Sequence, residues 1–264
     1  MTAIYGGDKI TFPDSSVQAS AQVGMKNRII DGAFILNQRG YVTSTSLSSG
    51  TYGHDRWKGG ASAGTYTFTQ GALGVPTTIT ITAGSIIQVI EGCNLPEGDT
   101  YVLSWTGTAQ GRLNGGSYGA SGSVTVTGWV AGTNLNVEFN TGTLGSVQLE
   151  KGSTATSFDY RPFGTELALC QRYYVGANGD YFFTAGYDAS YTTINTGGLA
   201  WSYQMRTTPT IVIVSGGMDG HHPVAPTVRN GPAYYGVGLM FSGGGLRTNS
   251  NCSAYVSFSL SAEL

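Results

Sequence analysis

Charged residues are scarce in this sequence. Only 13 of its 264 residues are Lys or Arg and 15 are Asp or Glu, which leaves a net charge of −2. A nucleic-acid-binding protein needs a basic face that neutralises phosphates, so this balance argues against that class. It argues equally against attachment to an anionic membrane surface, which depends on clustered Lys and Arg. The scarcity of Glu and Lys also disfavours long helices.

Paired cysteines and long apolar runs are missing as well. Cys93, Cys170 and Cys252 lie far apart, whereas a disulfide framework or a zinc site shows ligands at short spacing. We interpret these cysteines as small buried apolar residues of a protein made in a reducing cytoplasm. No stretch of about 18 apolar residues occurs, and the first residues lack the basic and apolar regions of a signal peptide. We therefore expect neither membrane insertion nor a secretion signal.

Small, hydroxyl-bearing and aromatic residues are abundant instead. The sequence contains 41 Gly, 32 Thr and 25 Ser, together with 16 Tyr, 10 Phe and 4 Trp. So many aromatic residues indicate a folded chain rather than a disordered one. Thr, Tyr and Gly in such numbers favour short strands joined by tight turns, so we predict an all-β fold.

Strand patterns recur at close spacing from residue 27 onward. Ile79 and Ile81 alternate with threonines, and Val124 and Val126 alternate with hydroxyl residues, so each pair is predicted to face a core. Seven or more short strands separated by Gly, Pro and Asn turns describe an antiparallel sandwich of the jelly-roll type. The predicted strands are Tyr66–Thr69, Thr77–Thr82, Ile86–Glu91, Thr100–Thr106, Ser123–Val130, Leu135–Asn140 and Val147–Glu150.

One helical pattern interrupts the strands. The segment Thr165–Tyr174 places Leu167, Cys170 and Tyr174 at helical spacing, with its first threonine as the predicted N-cap. The second half then returns to strands, with a long loop predicted over 216–232, and loops of that length are usually functional. The predicted strands of this half are Tyr181–Thr184, Leu199–Met205, Thr210–Ser215, Ala233–Phe241 and Tyr255–Leu260.

These patterns divide the chain into three parts. Residues 1–24 are too short to form a core, so their order must come from a partner or from self-association. Residues 25–163 form the predicted jelly roll. Residues 164–264 form the short helix followed by a second β-sandwich.

Three groups of residues stand out together along the chain. They are Asn27–Phe34 with Gln38–Gly40 and Tyr52–Trp57; Val147–Gly152 with Ala155–Phe158, Arg161–Phe163, Glu166, Leu167 and Cys170–Tyr174; and Met205–Thr210. In this order they resemble the tail-fibre and receptor-binding proteins of bacteriophages and prophages. The opening ITFPDSSVQASA is also similar to the repeats that precede such fibre tips. The resemblance spans nearly the whole chain, and the middle group is the specific one.

The resemblance implies a homotrimeric fibre tip. In such a tip, a jelly roll like those of carbohydrate-binding modules is followed by a C-terminal β-sandwich. It implies adsorption to a bacterial surface polysaccharide or lipopolysaccharide that the protein binds but does not cleave. Residues 1–24 would attach the tip to another tail or virion protein, and the protein would belong to the virion after synthesis in the host cytoplasm.

Catalytic patterns are weak. A glycosidase needs two carboxylates facing each other across a cleft, within about 10 Å, and no spacing pairs two acidic residues in this way. The zinc-protease motif H-E-x-x-H and a long β-helical repeat are both missing. We expect no enzyme activity, no cofactor and no bound metal. Two alternatives stay open: a glycan-cleaving tailspike depolymerase, and a purely structural component of the fibre or baseplate.

Candidate glycan contacts lie in the second half. Tyrosines beside polar loops offer a ring for stacking on a sugar and a hydroxyl for hydrogen bonding, with packing in a trimer interface as an equal alternative. Adjacent histidines on an extended chain point to opposite faces, which suits a solvated or sugar-contacting loop better than a metal site. The candidate residues are Tyr181, Tyr187, Tyr191, Asp219, His221, His222, Arg229, Tyr234 and Tyr235.

A second set of residues is predicted to be structural. Asp55, Arg56 and Trp57 put a carboxylate and a guanidinium beside a large ring near the start of the jelly roll. A buried ion pair with stacking would brace the edge of the sandwich there. Trp105, Trp129 and Trp201 sit in strand patterns and are predicted to belong to the core.

Overall fold

The fold is described from a computed structural model. The described residues are 4–6, 9–11, 17–18, 25–120, 122–176, 181–185, 193–195, 199–200, 204–218, 227–233, 236–242 and 252–264. Within this part of the chain the structure is mostly β, with antiparallel ladders between all paired strands and one short α-helix. The predicted all-β class is confirmed.

The strands that precede the helix come in ten segments. They are β1 (Ile4–Gly6), β2 (Lys9–Thr11), β3 (Val17–Gln18), β4 (Lys58–Thr67), β5 (Ile79–Ile90), β6 (Asp99–Thr106), β7 (Gly111–Leu113), β8 (Ser123–Trp129), β9 (Leu135–Phe139) and β10 (Gly142–Lys151). A single 3-10 turn, Gly92–Asn94, lies between β5 and β6. The first three strands form a small sheet of their own in the order β1-β2-β3.

The helix and the later strands complete the list. They are α1 (Phe163–Gln171), β11 (Tyr174–Val175), β12 (Tyr181–Ala185), β13 (Thr193–Asn195), β14 (Leu199–Ala200), β15 (Thr210–Met218), β16 (Thr227–Ala233), β17 (Gly236–Ser242) and β18 (Cys252–Ser261). The eight strands of this list form two four-stranded sheets. In one, β18 pairs with β11, β12 and β15; in the other, β17 pairs with β13, β14 and β16.

Strands β4 to β10 form one seven-stranded sheet that curves towards a barrel. Its order is β7-β9-β5-β10-β6-β8, with β4 on the other side of β5. Strand β10 joins the two halves, because its residues 142–144 pair with β5 and its residues 145–151 pair with β6. A register shift lies between Gly145 and Gln148, where Ser146 has a φ of 46°. Such a bulge bends a strand, which lets β10 serve both halves.

The main core lies inside this curved sheet. The predicted alternation is confirmed, since Ile79 and Ile81 are buried and Val124 and Val126 pack against the core from β8. Aromatic side chains fill much of the interior, and the ring of Trp105 packs edge-on against Phe139 at 5.0 Å. The largest fully buried apolar members of the core are Trp57, Tyr66, Tyr101, Phe34 and Phe139.

Strand β5 is longer than the sequence predicts. The predicted strands 77–82 and 86–91 are one continuous strand, because no turn forms between them. Gly84 lies in the middle with a φ of +66°, and a Cβ there would meet the carbonyl oxygen of Ala63 on β4 at 2.2 Å. The glycine therefore allows a close approach of two strands rather than a reversal of the chain.

The helix also differs from its predicted bounds. It runs from Phe163 to Gln171, and the carbonyl of Pro162 accepts the amides of Thr165 and Glu166. Thr165 is therefore inside the first turn rather than at the N-cap. Tyr174, predicted as a helix residue, lies in β11 opposite Ser261 of β18.

The predicted bounds of the long loop, 216 and 232, were both wrong. Strand β15 continues to Met218 and β16 begins at Thr227, and the segment between them lies outside the described residues. The prediction of three buried cysteines fails at Cys93, which is exposed, while Cys170 is buried. The side chain of Cys252 lies outside the described residues.

Candidate functional site

Most of the predicted glycan contacts fall outside the described residues. Only two of them lie in described backbone: Tyr181 in β12 opposite Val256, and Arg229 in β16 at a register shift between Val228 and Asn230. Arg229 is thus a strand residue rather than a loop residue. The predicted contacts outside the described residues are Tyr187, Tyr191, Asp219, His221, His222, Tyr234 and Tyr235.

Trp57 is a core residue. Its side chain is completely buried, and its ring lies 5.1 Å from the ring of Phe34 and 6.1 Å from that of Phe139. The indole N–H donates to the carbonyl oxygen of Asp31 at 3.0 Å. The ring therefore has both the packing and the hydrogen bond that a buried tryptophan requires.

Asp55 and Arg56 are buried as predicted, but they have different ion-pair partners. The carboxylate of Asp55 accepts the main-chain and side-chain N–H groups of Gln38, each at 2.7 Å, and lies 3.9 Å from the guanidinium of Arg39. Among the described residues, Arg56 pairs with Glu263 instead. The two residues lie in a tight turn closed by the Trp57 N–H on the His54 carbonyl, with a φ of 68° at Arg56, and their side chains take different partners. The predicted Asp55–Arg56 pair was therefore wrong.

Residues 262–264 are held by cationic and aromatic side chains of the first half, and we call this set the C-terminal clasp. Arg39 and Arg56 both bind the carboxylate of Glu263. The hydroxyl of Tyr52 and the ammonium of Lys58 donate to the main-chain oxygen of Leu264 at 2.7 and 2.6 Å. The clasp fastens the end of β18 to the seven-stranded sheet.

Aromatic rings cover the cations of the clasp. The guanidinium of Arg56 lies 3.7 Å from the ring centre of Tyr173, and that of Arg39 lies 3.6 Å from the ring centre of Tyr174. Cation–π contacts of this kind strengthen when water is excluded. Burial raises the pKa of Tyr52 and of Tyr173 to about 12, so both phenols stay protonated and act as donors.

A second buried network joins the seven-stranded sheet to the helix. The guanidinium of Arg161 donates to both carboxylate oxygens of Glu166, at 2.7 and 3.0 Å, and to the carbonyl of Asn27 at 3.1 Å. It also donates to the carbonyl of Ile29. Glu166 in turn accepts the main-chain N–H of Asp31 at 2.5 Å. One arginine thus ties the start of the sheet region to α1.

The end of β10 is braced in the same way. The amide of Asn27 donates to the carbonyl of Val147 at 3.0 Å, and the amide of Gln148 donates to Glu150 at 2.8 Å. Glu150 also accepts the main-chain N–H and the hydroxyl of Thr156, each at 2.8 Å. These side chains fix the path of the chain as it leaves the sheet for the helix.

Asp31 is the most strongly perturbed acid of this region. Burial raises its pKa well above the usual value, and the nearby carboxylates of Asp55 and Glu166 raise it further. Its Oδ1 accepts the N–H groups of Ile35 and Leu36 at 2.8 and 3.2 Å, whereas Oδ2 has no hydrogen-bond partner among the described residues. These contacts indicate that Asp31 fixes the path of the main chain at Ile35 and Leu36, beside the core.

A polar cluster on the sheet was missed by the sequence analysis. Glu138 of β9 accepts hydrogen bonds from Ser85 at 2.7 Å, Arg112 at 2.8 Å and Tyr118 at 3.2 Å. The guanidinium of Arg112 covers the Tyr118 ring at 4.4 Å. Because Glu138 is satisfied by these neighbours, the cluster is a cross-strand brace. The pairing of Arg112 with Glu138 follows from the β7–β9 register, which no local pattern reveals.

The segment Gly60–Gly64 matches the G-x-S-x-G pattern of hydrolase nucleophile elbows, which the sequence analysis overlooked. An elbow places its serine on a sharp turn between a strand and a helix. Here Ser62 is an exposed residue inside β4, and the pattern continues as strand on both sides. The match therefore does not provide a nucleophile site.

A small cleft opens beside the junction between the sheet and the helix. Its apolar walls include Ile35, Pro76 and Phe158, and Arg161 and Glu166 are also among its lining residues. Its volume is about 30 Å³. We call it the junction cleft.

The described residues contain no group of three or more His, Cys, Asp or Glu side chains placed to hold a metal ion. Among the same residues, no helix is long and apolar enough to cross a membrane. No protein-family model matches the chain, and no curated protein matches it at a significant level.

Proposed function

We propose that this protein is the receptor-binding tip of a bacteriophage tail fibre, which adsorbs to a bacterial surface glycan without cleaving it. In this proposal residues 25–163 form a jelly-roll sandwich similar to carbohydrate-binding modules. Residues 164–264 form the helix and a C-terminal β-sandwich tip, three chains assemble into a homotrimer, and residues 1–24 attach the tip to another virion protein.

One observation carries this proposal. Several of the residues on which the resemblance to tail-fibre proteins depends help to hold the described parts of the chain together. Arg161 and Glu166 join the sheet to the helix, and Arg56 with Tyr173 takes part in the C-terminal clasp. Buried structural roles at these positions support the architecture that the resemblance implies, and that architecture supports the proposed role.

Two features support the trimer. Val212 and Val214 on β15 are 53% and 63% exposed, and among the described strands β15 pairs only with β18. Exposed β-branched residues on an edge strand are a surface that another chain can cover. Light scattering at low micromolar concentration should give three times the 27.6 kDa chain mass, and a monomer would refute the assembly.

Adsorption provides the test of function. Fluorescently labelled protein is measured by cytometry on a panel of strains that differ in lipopolysaccharide and capsule. Binding to a subset of strains, with competition by the polysaccharide purified from those strains, is the expected result. Single sugar sites are weak, near millimolar or about −4 kcal/mol, and three copies raise avidity by roughly a hundredfold.

A triple variant tests where the receptor binds. Replacing Tyr187, His222 and Arg229 by Ala should leave a folded trimer that no longer adsorbs. Unchanged adsorption would move the site to the seven-stranded region. Release of new reducing ends from the polysaccharide would instead identify a depolymerase, and no adsorption to any strain would favour a purely structural component.

A further inference from the structure

The junction cleft has an exposed aromatic ring at its rim. Tyr160 is 66% exposed, and it is the only aromatic residue among the large apolar side chains that the described residues expose strongly. The ring of Phe158 meets it edge-on at 4.8 Å, which fixes its orientation. Leu73 and Val75, in the loop on the other side, are 82% and 48% exposed. The cleft is therefore surrounded by apolar surface that faces solvent.

The cleft admits a small group only. A volume of about 30 Å³ holds one or two water-sized groups, which is enough for a methyl group with a neighbouring carbonyl and far too little for a sugar ring. A ring would therefore have to stay outside, at the level of Tyr160. The walls at Ile35 and Pro76 are apolar, as a methyl group requires.

Polar groups in the lining complete the site. Arg161 and Glu166 are both buried, with side chains only 6% and 7% exposed. Arg161 directs four of its five N–H bonds to Glu166 and to the carbonyls of Asn27 and Ile29. One N–H is left without an acceptor among the described residues. A ligand amide that enters the cleft would lie beside the polar side chains of Arg161 and Glu166, next to the apolar walls.

We propose that the junction cleft binds the acetamido group of an N-acetylated sugar, with the methyl group between Ile35 and Pro76 and the pyranose face on the ring of Tyr160. This inference rests on the proposed glycan receptor, and it adds a chemical class and a site built from other residues than the predicted C-terminal contacts. Stacking of a sugar face on an exposed tyrosine leaves the sugar hydroxyls in water, so the acetamido group decides which sugars bind.

Saturation-transfer NMR on the full-length protein tests the proposal, with N-acetylglucosamine as the probe and glucose as the sugar without the acetamido group. We expect N-acetylglucosamine to bind in the low millimolar range, with glucose about tenfold weaker or more. The acetyl methyl protons should receive the strongest saturation, because they lie deepest in the cleft. Even saturation over the whole sugar, or equal binding of glucose, would overturn the proposal.

Two variants separate the cleft from other surfaces. Tyr160→Ala removes an exposed ring and should weaken binding of N-acetylglucosamine about tenfold or more. Tyr118→Ala removes a half-buried ring that Arg112 already covers, and it should leave the affinity unchanged. Unchanged affinity in Tyr160→Ala would refute the cleft as the site.

The adsorption assay and the NMR assay together distinguish this inference from the proposed function. If labelled protein adsorbs to cells while N-acetylglucosamine gives no saturation signal, the cleft proposal is wrong and the glycan-binding function stands. If no strain and no polysaccharide is bound but N-acetylglucosamine occupies the cleft, the proposed function is wrong and the local site stands.

Discussion

Arg56 and Glu263 form a buried ion pair although 207 positions separate them along the chain. Their side chains are only 2% and 7% exposed, and Arg56 has a second contact in the carbonyl of Val89 at 2.7 Å. The pair fastens the end of β18 to the seven-stranded sheet. Its energetic weight depends on burial, because a charge left without its partner inside a protein is strongly destabilising.

Glu263→Gln should destabilise the protein by about 3 kcal/mol or more, since it leaves the buried guanidinium of Arg56 without a countercharge. Urea unfolding monitored by tryptophan fluorescence measures the change. Glu97→Gln is the matched control, because the Arg28–Glu97 pair is largely exposed, at 26% and 52%. Exposed pairs contribute little. Equal midpoints for the two variants would show that the clasp does not contribute to stability.

Asp55→Ala should lower the melting temperature through contacts other than those predicted from the sequence. The change removes the acceptor of two Gln38 N–H groups and the more distant of the two countercharges of Arg39, at a cost of about 2 to 4 kcal/mol. Asp99→Asn, at a side chain that is 78% exposed and a backbone φ of 80° that asparagine tolerates, should melt like the parent protein. A variant that melts normally but no longer adsorbs to cells would instead place Asp55 in a binding site.

Lowering the pH should destabilise the protein through His54. Burial lowers the pKa of His54 from 6.5 to about 4, so the unfolded chain binds a proton in that interval and the folded chain does not. The contribution of the neutral imidazole is complete above pH 6.5 and declines as the pH falls towards 4, by about 3 kcal/mol in total.

The His54 effect is isolated by difference. Asp31 and Asp55 have raised pKa values, so they act with the opposite sign as the pH falls. Free energies of unfolding are therefore measured from pH 4 to 7 for the parent and for His54→Gln, and their difference is plotted. A flat difference would contradict the assignment to His54.

A pair of glycine substitutions tests the contact between residues 27–34 and β10. A Cβ at Gly32 would meet the carbonyl oxygen of Val147 at 2.2 Å, so Gly32→Ala should destabilise the protein by about 2 kcal/mol or more. Gly164 lies in the first turn of α1 with no atom close to an added Cβ. Gly164→Ala should therefore be neutral or stabilise by up to about 1 kcal/mol. Thermal melts of both variants decide the comparison.

Local patterns predicted which strand residues face the core better than they predicted the bounds and the partners of the strands; β4, for example, begins at Lys58 rather than at Tyr66. The alternation of Ile79 with Ile81, and of Val124 with Val126, marks which side faces the core, because that information is contained in the residues themselves. The residues around Arg56 do not indicate its partner, because Glu263 comes close to Arg56 only when β18 is paired in its sheet. Adjacent charges suggested the wrong pair for the same reason.

The candidate sites show a similar limit. Tyr160 directly precedes Arg161, a member of the most specific of the three motif groups. Its exposure depends on the path of the chain after β10, which no periodicity in the sequence predicts. The Glu138 cluster depends on the register between β7 and β9. Glu138 takes a polar position in the alternating strand Leu135–Phe139, so the local pattern predicts an exposed side chain and does not indicate the cluster.

The C-terminal clasp sets a rule for building chimeras from this protein. A new tip spliced on after Phe163 would discard Glu263 and Leu264 while keeping Arg39, Arg56 and Lys58 in the retained half. Each of these three cationic side chains would then lose an acceptor, whatever the quality of the splice at the helix. A successful recombinant must therefore bring a carboxylate and a main-chain oxygen back to the same place, which ties the choice of breakpoint to a pair of residues a hundred positions downstream.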